Sequence, residues 1–260
     1  MKLFDTHCHL NFKAFEKDCH DVLLRSQKND VNMLIVGTDV KTSDKAIELA
    51  EKFEGALCAV GFHPIHIENR AWRQEVPVIL KLAEKKSVRA IGEIGFDTFY
   101  TKLGSEQEVI KIQTKILDQF FSQAFKIKKP IILHCRGPID LLKKKMEGNL
   151  VNLKKAGAVV HCFPGDELFA NFLVKNDFYL GFNGMIFKKH QWDKIIARAP
   201  LENILLETDA PYLNPIINRG DRNEPMNVKY ICQRIAELKN IPTEQVARVT
   251  TRSARVLFKV

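Results

Sequence analysis

Paired cysteines, membrane-length apolar runs and a glycine-rich phosphate loop are all missing from this chain. Its six cysteines, Cys8, Cys19, Cys58, Cys135, Cys162 and Cys232, are scattered, and no two form a Cys-x-x-Cys pair. That excludes zinc ribbons and dithiol redox motifs. A chain of 260 residues buries a sizeable core without disulfides, so reduced thiols are expected, with Cys58, Cys135 and Cys162 packed in strand-like runs. No stretch approaches the roughly 20 apolar residues needed to cross a bilayer, so no membrane partner is expected. Met1-Lys2-Leu3-Phe4-Asp5 leads into the first strand-like run without the apolar segment of a signal peptide, which makes the cytoplasm the expected address. Linkers, internal repeats and low-complexity tracts are also absent, so residues 1–260 are expected to form one domain.

What is present reads as an alternation. Apolar residues make up 45% of the chain and charged residues 27%, the balance of an ordinary globular protein. Eight short runs read as strands: Lys2–Asp5, Asn32–Thr38, Leu57–Phe62, Val88–Gly95, Pro130–Cys135, Ala158–Phe163, Phe178–Gly184 and Ile204–Asp209. Between them lie helical patterns, such as Ala46, Ile47, Ala50 and Phe53, with Gly55 as an expected C-cap. Ser105-Glu106-Gln107-Glu108 reads as a capping box opening a long helix toward Lys128. Eight βα repeats over this length are the arithmetic of an α/β protein of the (β/α)8 TIM-barrel type. The competing open doubly wound sheet usually has fewer strands and often a glycine-rich loop after the first, where this chain has His-Cys-His.

Six imidazoles and carboxylates close these runs: His7, His9, Glu93, His134, His161 and Asp209. In a barrel, the C-terminal strand ends converge on one mouth, so ligands far apart in sequence surround one pair of cations. His7 and His9 are two apart and share a face. Each residue has a plainer reading taken singly: a His-x-His pair is often polar surface or a satisfied core pair, and Asp209 before Ala-Pro is a plausible helix cap. Their joint placement decides for metal, because buried ionisable groups on apolar strands are costly unless paired or coordinated. Mixed imidazole and carboxylate donors suit two divalent ions of Zn, Mn or Fe, and cellular abundance adds Mg, so that Mg, Mn and Zn are the leading candidates. Cys135 and Cys162 directly follow proposed ligands, and strand alternation turns them to the opposite face.

At these residues the chain resembles the TatD-type metal-dependent deoxyribonucleases of the amidohydrolase superfamily. The matching segments run nearly end to end: Asp5-Thr6-His7-Cys8-His9-Leu10, Gly61-Phe62-His63-Pro64, Ile91-Gly92-Glu93-Ile94-Gly95-Phe96-Asp97, Ile131-Ile132-Leu133-His134-Cys135-Arg136, Val159-Val160-His161-Cys162-Phe163, Leu205-Leu206-Glu207-Thr208-Asp209-Ala210-Pro211-Tyr212 and Arg222-Asn223-Glu224-Pro225. The resemblance implies a TIM-type barrel, two divalent ions and phosphodiester hydrolysis. It further implies that His7, His9 and Asp209 hold one ion, His134 and His161 the other, and Glu93 bridges them. The chain departs from the family at Cys162-Phe163-Pro164-Gly165-Asp166, at Thr98-Phe99 and at Ser253, none of which removes a ligand.

Two cations about 3.5–4 Å apart activate water against phosphorus, and Asp209 is the candidate general base, with Glu93 the second catalytic carboxylate. His63 and Arg136, at strand ends, are candidate substrate contacts. Glu207, two residues before Asp209, is a third candidate there, or else binds another cation or orients a ligand. Their plainer readings are a turn cap, a surface ion pair and a buried hydrogen-bonding group. A net charge of +9 and a pI near 9.2 favour acidic partners such as DNA or another phosphodiester. Arg136, Lys188, Lys189, Arg219 and Arg222 are candidate rim cations, and Phe99, Tyr100, Phe187 and Tyr212 candidate stacking faces. Lys143-Lys144-Lys145 reads instead as a solvated helix face. A monomer is the default expectation. The alternatives are a barrel hydrolase for a small amide, ester or lactone, and a binding protein with a vestigial site.

Overall fold

The computed structural model describes residues 1–69, 71–99, 104–215 and 222–260. Eight strands form one parallel sheet in sequence order: β1 (Leu3–Cys8), β2 (Val31–Val36), β3 (Ala56–Val60), β4 (Val88–Asp97), β5 (Ile131–Arg136), β6 (Ala158–Val160), β7 (Tyr179–Phe182) and β8 (Ile204–Leu206). Each parallel step needs a crossover, which the helices supply: α1 (Cys19–Lys28), α2 (Val40–Lys52), α3 (Trp72–Leu82), α4 (Glu106–Ile127), α5 (Ile139–Gly148), α6 (Leu150–Ala156), α7 (Glu167–Lys175) and α8 (Asp193–Arg198). Two more, α9 (Val228–Lys239) and α10 (Thr243–Phe258), follow β8. This is the expected (β/α)8 barrel, with strand limits moved by a few residues.

Local chemistry explains the helix starts. Asp39 accepts from the Thr42 amide and opens α2, while Ser105 and Glu108 form the expected box at α4. Lys128 closes α4 in the left-handed conformation. Helix α2 ends on Phe53, so Gly55 falls two residues beyond the cap, at φ +83° in the turn into β3. Lys145 on α5 donates to Asp118 of α4 at 2.8 Å, consistent with a solvated face.

The core has two layers. Outward-facing strand residues such as Met33, Cys58, Ile91 and Leu133 pack under the helices. Inside the barrel lie Phe4, Leu34, Ala59, Ala90, Ile132, Val159 and Leu205, and α10 closes the floor with Ala254, Leu257 and Phe258. The Phe258 ring stacks on Phe4 at 6.0 Å.

Two register shifts set up the mouth. One lies between Asp5 and Cys8 of β1, the other between Ile91 and Ile94 of β4. Phe4 and Ala90 already face inward, so regular alternation would aim His7 and Glu93, three residues on, at the helices. The shifts return both to the interior, the way bulges re-aim side chains beside functional sites. Glycines make room for the second shift: at Gly92 (φ +153°) a Cβ would sit 2.5 Å from Ile132 Cβ, and at Gly95 (φ +146°) 2.0 Å from the His134 carbonyl oxygen.

The β1–β8 seam closes by other means than a long ladder. One bridge joins Cys8 to Ala210, the Asp209 amide donates to His7 O at 2.8 Å, and the His9 amide to Ala210 O at 2.7 Å. Buried Asp5 accepts from the Thr208 amide (2.8 Å) and hydroxyl (2.5 Å), and the Thr6 hydroxyl donates to Leu206 O at 2.9 Å. The seam therefore fixes His7 and His9 against Asp209, across some 200 residues of chain.

Candidate metal centre

All six proposed ligands meet at the C-terminal end of the barrel, where His9, Glu93, His134, His161 and Asp209 line a cavity of about 2200 Å³ that opens to solvent and His7 is fully buried beside them. Glu93 stands at the middle. Its Oε1 lies 3.6 Å from His7 Nε2 and 3.5 Å from His9 Nε2; its Oε2 lies 3.3 Å from His134 Nδ1 and 2.9 Å from His161 Nε2. Asp209 Oδ1 is 3.4 Å from His9 Nε2 and 3.8 Å from His7 Nε2. One carboxylate thus faces two imidazole pairs, one oxygen to each.

The strand ends differ in detail from the sequence reading. Glu93 sits mid-strand, since β4 runs on to Asp97, and His134 precedes the end of β5 by two residues. His161 follows β6 directly. Asp209 lies three residues past β8, at φ +56°, held by the seam rather than by strand pairing. Cys162 also escapes strand alternation, at φ +44°; it and Cys135 line the cavity, yet neither joins a donor cluster among the described residues.

The donors fit a bound cation. The facing ring nitrogens of His7 and His9 are 3.3 Å apart, and those of His134 and His161 3.0 Å. Nitrogen lone pairs turned on one another in a buried site repel unless a proton or cation lies among them. One proton satisfies one pair, whereas divalent ions satisfy both pairs and the carboxylates together. The other ring nitrogens are partly provided for: His9 Nδ1 bonds Val36 O at 2.9 Å, and His134 Nε2 bonds Asp97 Oδ2 at 3.3 Å. Such outer partners fix which nitrogen faces a metal.

Electrostatics point the same way. Burial would raise the Glu93 carboxyl, but His63, His7 and His161 hold it well below the usual carboxylate range. Burial likewise opposes ionisation of Asp209, and the His9 hydrogen bond together with the charges of His7, His9 and His161 outweighs it. For His161, burial lowers the imidazole while Glu93 and Glu207 lift it well above 6.5. His134 is raised despite burial by Asp97 and Glu93, and His9 by Asp209 and Glu93. His7 is lowered by burial and by the nearby His161. The cluster binds protons where ions of charge +2 would compete for the same nitrogens.

The second set of expected residues divides. His63 lines the cavity, with its ring 4.3 Å from that of His134 and its Nδ1 accepting from the Ile65 amide at 3.2 Å. Arg136 also lines it, with its guanidinium 4.1 Å over Phe99. Glu207 has no exposed surface; its Oε1 accepts from the Cys162 amide (2.6 Å) and Asn183 Nδ2 (3.0 Å), 3.7 Å from His161 Nδ1. That is the placing of a group that orients the His161 loop, one of the roles the sequence allows it. Arg222 is no open rim cation: it bonds Asp18 at 2.6 and 2.8 Å and Glu224 at 3.1 Å, tying the loop after β1 to the loop after β8. Lys189 and Tyr212 line the cavity while Lys188 and Phe187 are exposed outside it, and Arg219 and Tyr100 lie outside the described residues.

Sequence reasoning passed over Asp97. It stands four residues after Glu93 on β4, an even spacing that puts both on one face, and it is 2% exposed. Gln113 of α4 holds its backbone: Oε1 accepts from the Asp97 amide at 3.2 Å, and Nε2 donates to Asp97 O at 2.7 Å and Pro64 O at 3.2 Å. His63, Asp97 and His134 form a further donor cluster, sharing His134 with the main one.

Comparison with known proteins places this geometry among relatives. The family model described as TatD related DNase matches residues 4–259. The metal-dependent hydrolase YabD of Bacillus subtilis (strain 168) is 33% identical over 270 residues, covering 99% of each chain. YcfH of Escherichia coli (strain K12), also described as a metal-dependent hydrolase, is 31% identical over 272 residues, covering 100% of this chain and 97% of its own. The crystal structure of the TatD homologue YJJV from Escherichia coli K12 superposes with a TM-score of 0.84 at 27% identity, covering 99% of this chain and 98% of that one.

Proposed function

The chain belongs to the TatD family of metal-dependent hydrolases in the amidohydrolase superfamily, and from that premise we propose that it is a deoxyribonuclease hydrolysing phosphodiester bonds from a strand end. The observation that carries this reading is Glu93, one oxygen toward the His7–His9 pair and the other toward His134–His161. His7, His9 and Asp209 are the residues that would hold one cation, His134 and His161 the other, with Glu93 common to both. When bound, the two ions supply Lewis acidity for phosphate oxygens and lower the pKa of a water molecule.

The residues do the rest. Asp209, kept ionised beside His9, accepts the proton of the attacking water, being at the cavity wall and only partly buried. His63 is pushed well below 6.5 by burial and by His134, so it is neutral at pH 7. Because its Nδ1 accepts from an amide, its proton sits on Nε2, facing the cavity as a donor to a phosphate oxygen. Arg136 at the rim adds a cationic contact whose plane is set by Phe99. Asp97 fixes the His134 ring through Nε2, which leaves Nδ1 directed at Glu93.

The test is cleavage of end-labelled single- and double-stranded DNA by chelator-stripped protein, with Mg²⁺, Mn²⁺ or Zn²⁺ restored and Glu93→Ala as control. Metal-dependent cleavage that requires Glu93 supports the proposal, and the product ladder gives polarity. Bound metal without cleavage of any DNA would replace it with hydrolysis of a small amide, ester or lactone.

A further inference from the structure

The face of α10 turned away from the barrel carries a row of cations. Arg248, Arg252, Arg255 and Lys259 recur at spacings of four, three and four residues, and all are exposed. At 3.6 residues per turn they stand on one side of the helix over about 16 Å, from a rise of ~1.5 Å per residue. The buried side of the same helix plugs the barrel floor through Ala254, Leu257 and Phe258, and Thr251 bonds Lys2 O at the start of β1. The row therefore lies at the end of the barrel opposite the metal centre.

Two features set it apart from a solvated lysine face. Among the described residues, the side chains of Arg248, Arg252 and Arg255 make no hydrogen bond or ion pair, whereas those of Arg25, Arg198, Arg222 and Arg234 are each bonded to a carboxylate. Like charges three and four residues apart work against a helix, and within α10 Glu244 alone, four residues before Arg248, offsets the row, while Lys259 donates to Lys128 O at 2.6 Å. The arginines also flank a groove of about 740 Å³, which Lys2 and Lys259 share and to which Glu244 contributes the one acidic side chain among the described residues.

The geometry points to a second nucleic-acid contact: we propose that this groove holds a strand by its phosphates, away from the centre that cuts it. The choice of nucleic acid rests on the nuclease reading, on the net charge of +9 and on shape. A row of cations recurring along a helix lies beside a rod-like polyanion, phosphate by phosphate. Along one strand of a duplex, with a phosphate every 3.4 Å of axis, a row of about 16 Å runs beside about five phosphates, and beside fewer on an extended single strand. Guanidinium groups are suited to phosphate oxygens by their paired donors. A strand held here tethers the substrate between cuts without touching the reacting atoms.

The experiment compares wild type with the triple variant Arg248→Gln, Arg252→Gln, Arg255→Gln, all exposed helix positions where glutamine is well tolerated. Binding of a fluorescent oligothymidylate is measured in chelator, so that no strand is cut, over a salt series. Removing three phosphate contacts is expected to reduce the slope of log K against log salt by about 2 for a single strand. Hydrolysis of bis(p-nitrophenyl) phosphate by the metal-loaded variant and its thermal unfolding are expected to match wild type. An unchanged affinity and slope overturns the proposal, as does loss of binding to phosphatidylserine vesicles with oligonucleotide binding intact. If wild-type protein cuts no DNA yet the slope still falls, the groove stands and the nuclease reading fails. If DNA is cut and the slope does not move, the reverse holds.

Discussion

Replacing Asp97 weakens one half of the metal centre and spares the other. Its Oδ2 lies 3.3 Å from His134 Nε2, while its Oδ1 accepts from the Phe99 amide at 2.9 Å. Asp97→Ala removes the partner that fixes the His134 tautomer and the negative charge that makes the ring a better donor. Losses of this kind amount to about 10–100-fold in metal affinity, or about 1.4–2.8 kcal/mol. Asp97→Asn keeps an oxygen for the Phe99 amide but turns an NH2 donor on His134 Nε2, which favours the tautomer protonated on the metal-facing Nδ1, so it is expected to weaken the site at least as much as alanine. The assay is competition for Zn²⁺ or Mn²⁺ against a chromophoric chelator, with metal-free thermal unfolding to separate binding from folding. The site served by His134 and His161 is expected to weaken, and that served by His7, His9 and Asp209 to hold. Wild-type affinity in both variants, or equal weakening of both sites, would refute the argument.

Metal loading is expected to release protons, because His161, His134 and His9 are all raised above the ordinary imidazole value. Affinity therefore climbs as pH rises from 6.5 through those raised values, and a flat pH dependence counts against competition between ions and protons. The same shifts act on the metal-free protein in the opposite sense: each raised histidine gives its full stabilisation below about 6.5 and loses it as pH passes the folded-state value, which calorimetry of stripped protein reads. Gly95→Ala places a Cβ 2.0 Å from the His134 carbonyl oxygen at φ +146° and is expected to cost about 3 kcal/mol in urea unfolding; a variant as stable as wild type would contradict the close β4–β5 packing.

Much of this molecule was legible before its structure. The eight strands follow from short β-branched runs, and α4 from its capping box, because both signals are local. The six candidate ligands were legible because each sits within or just past an apolar run, where a lone charge needs a partner. Asp97 was visible in principle, at an even spacing from Glu93, but its partner His134 is 37 residues away and nothing local names it. Asp5 and Thr208, 203 residues apart, meet only when the barrel closes, so neither looked special in its own segment. Arg222 was misplaced for a related reason: a cation after a strand reads as a rim residue until Asp18 and Glu224 are seen to hold it. The inward aim of His7 and Glu93 depends on register shifts that an alternation rule does not contain.

The central claim is that Glu93 joins two cation sites. The direct measurement is metal content after loading with excess Mn²⁺ or Zn²⁺ and desalting, for wild type and Glu93→Ala side by side. Two ions per wild-type chain, with at least one lost in the variant and the fold retained, is the expected result. Wild-type protein that retains no ion, or a variant that retains as many as wild type, would contradict it.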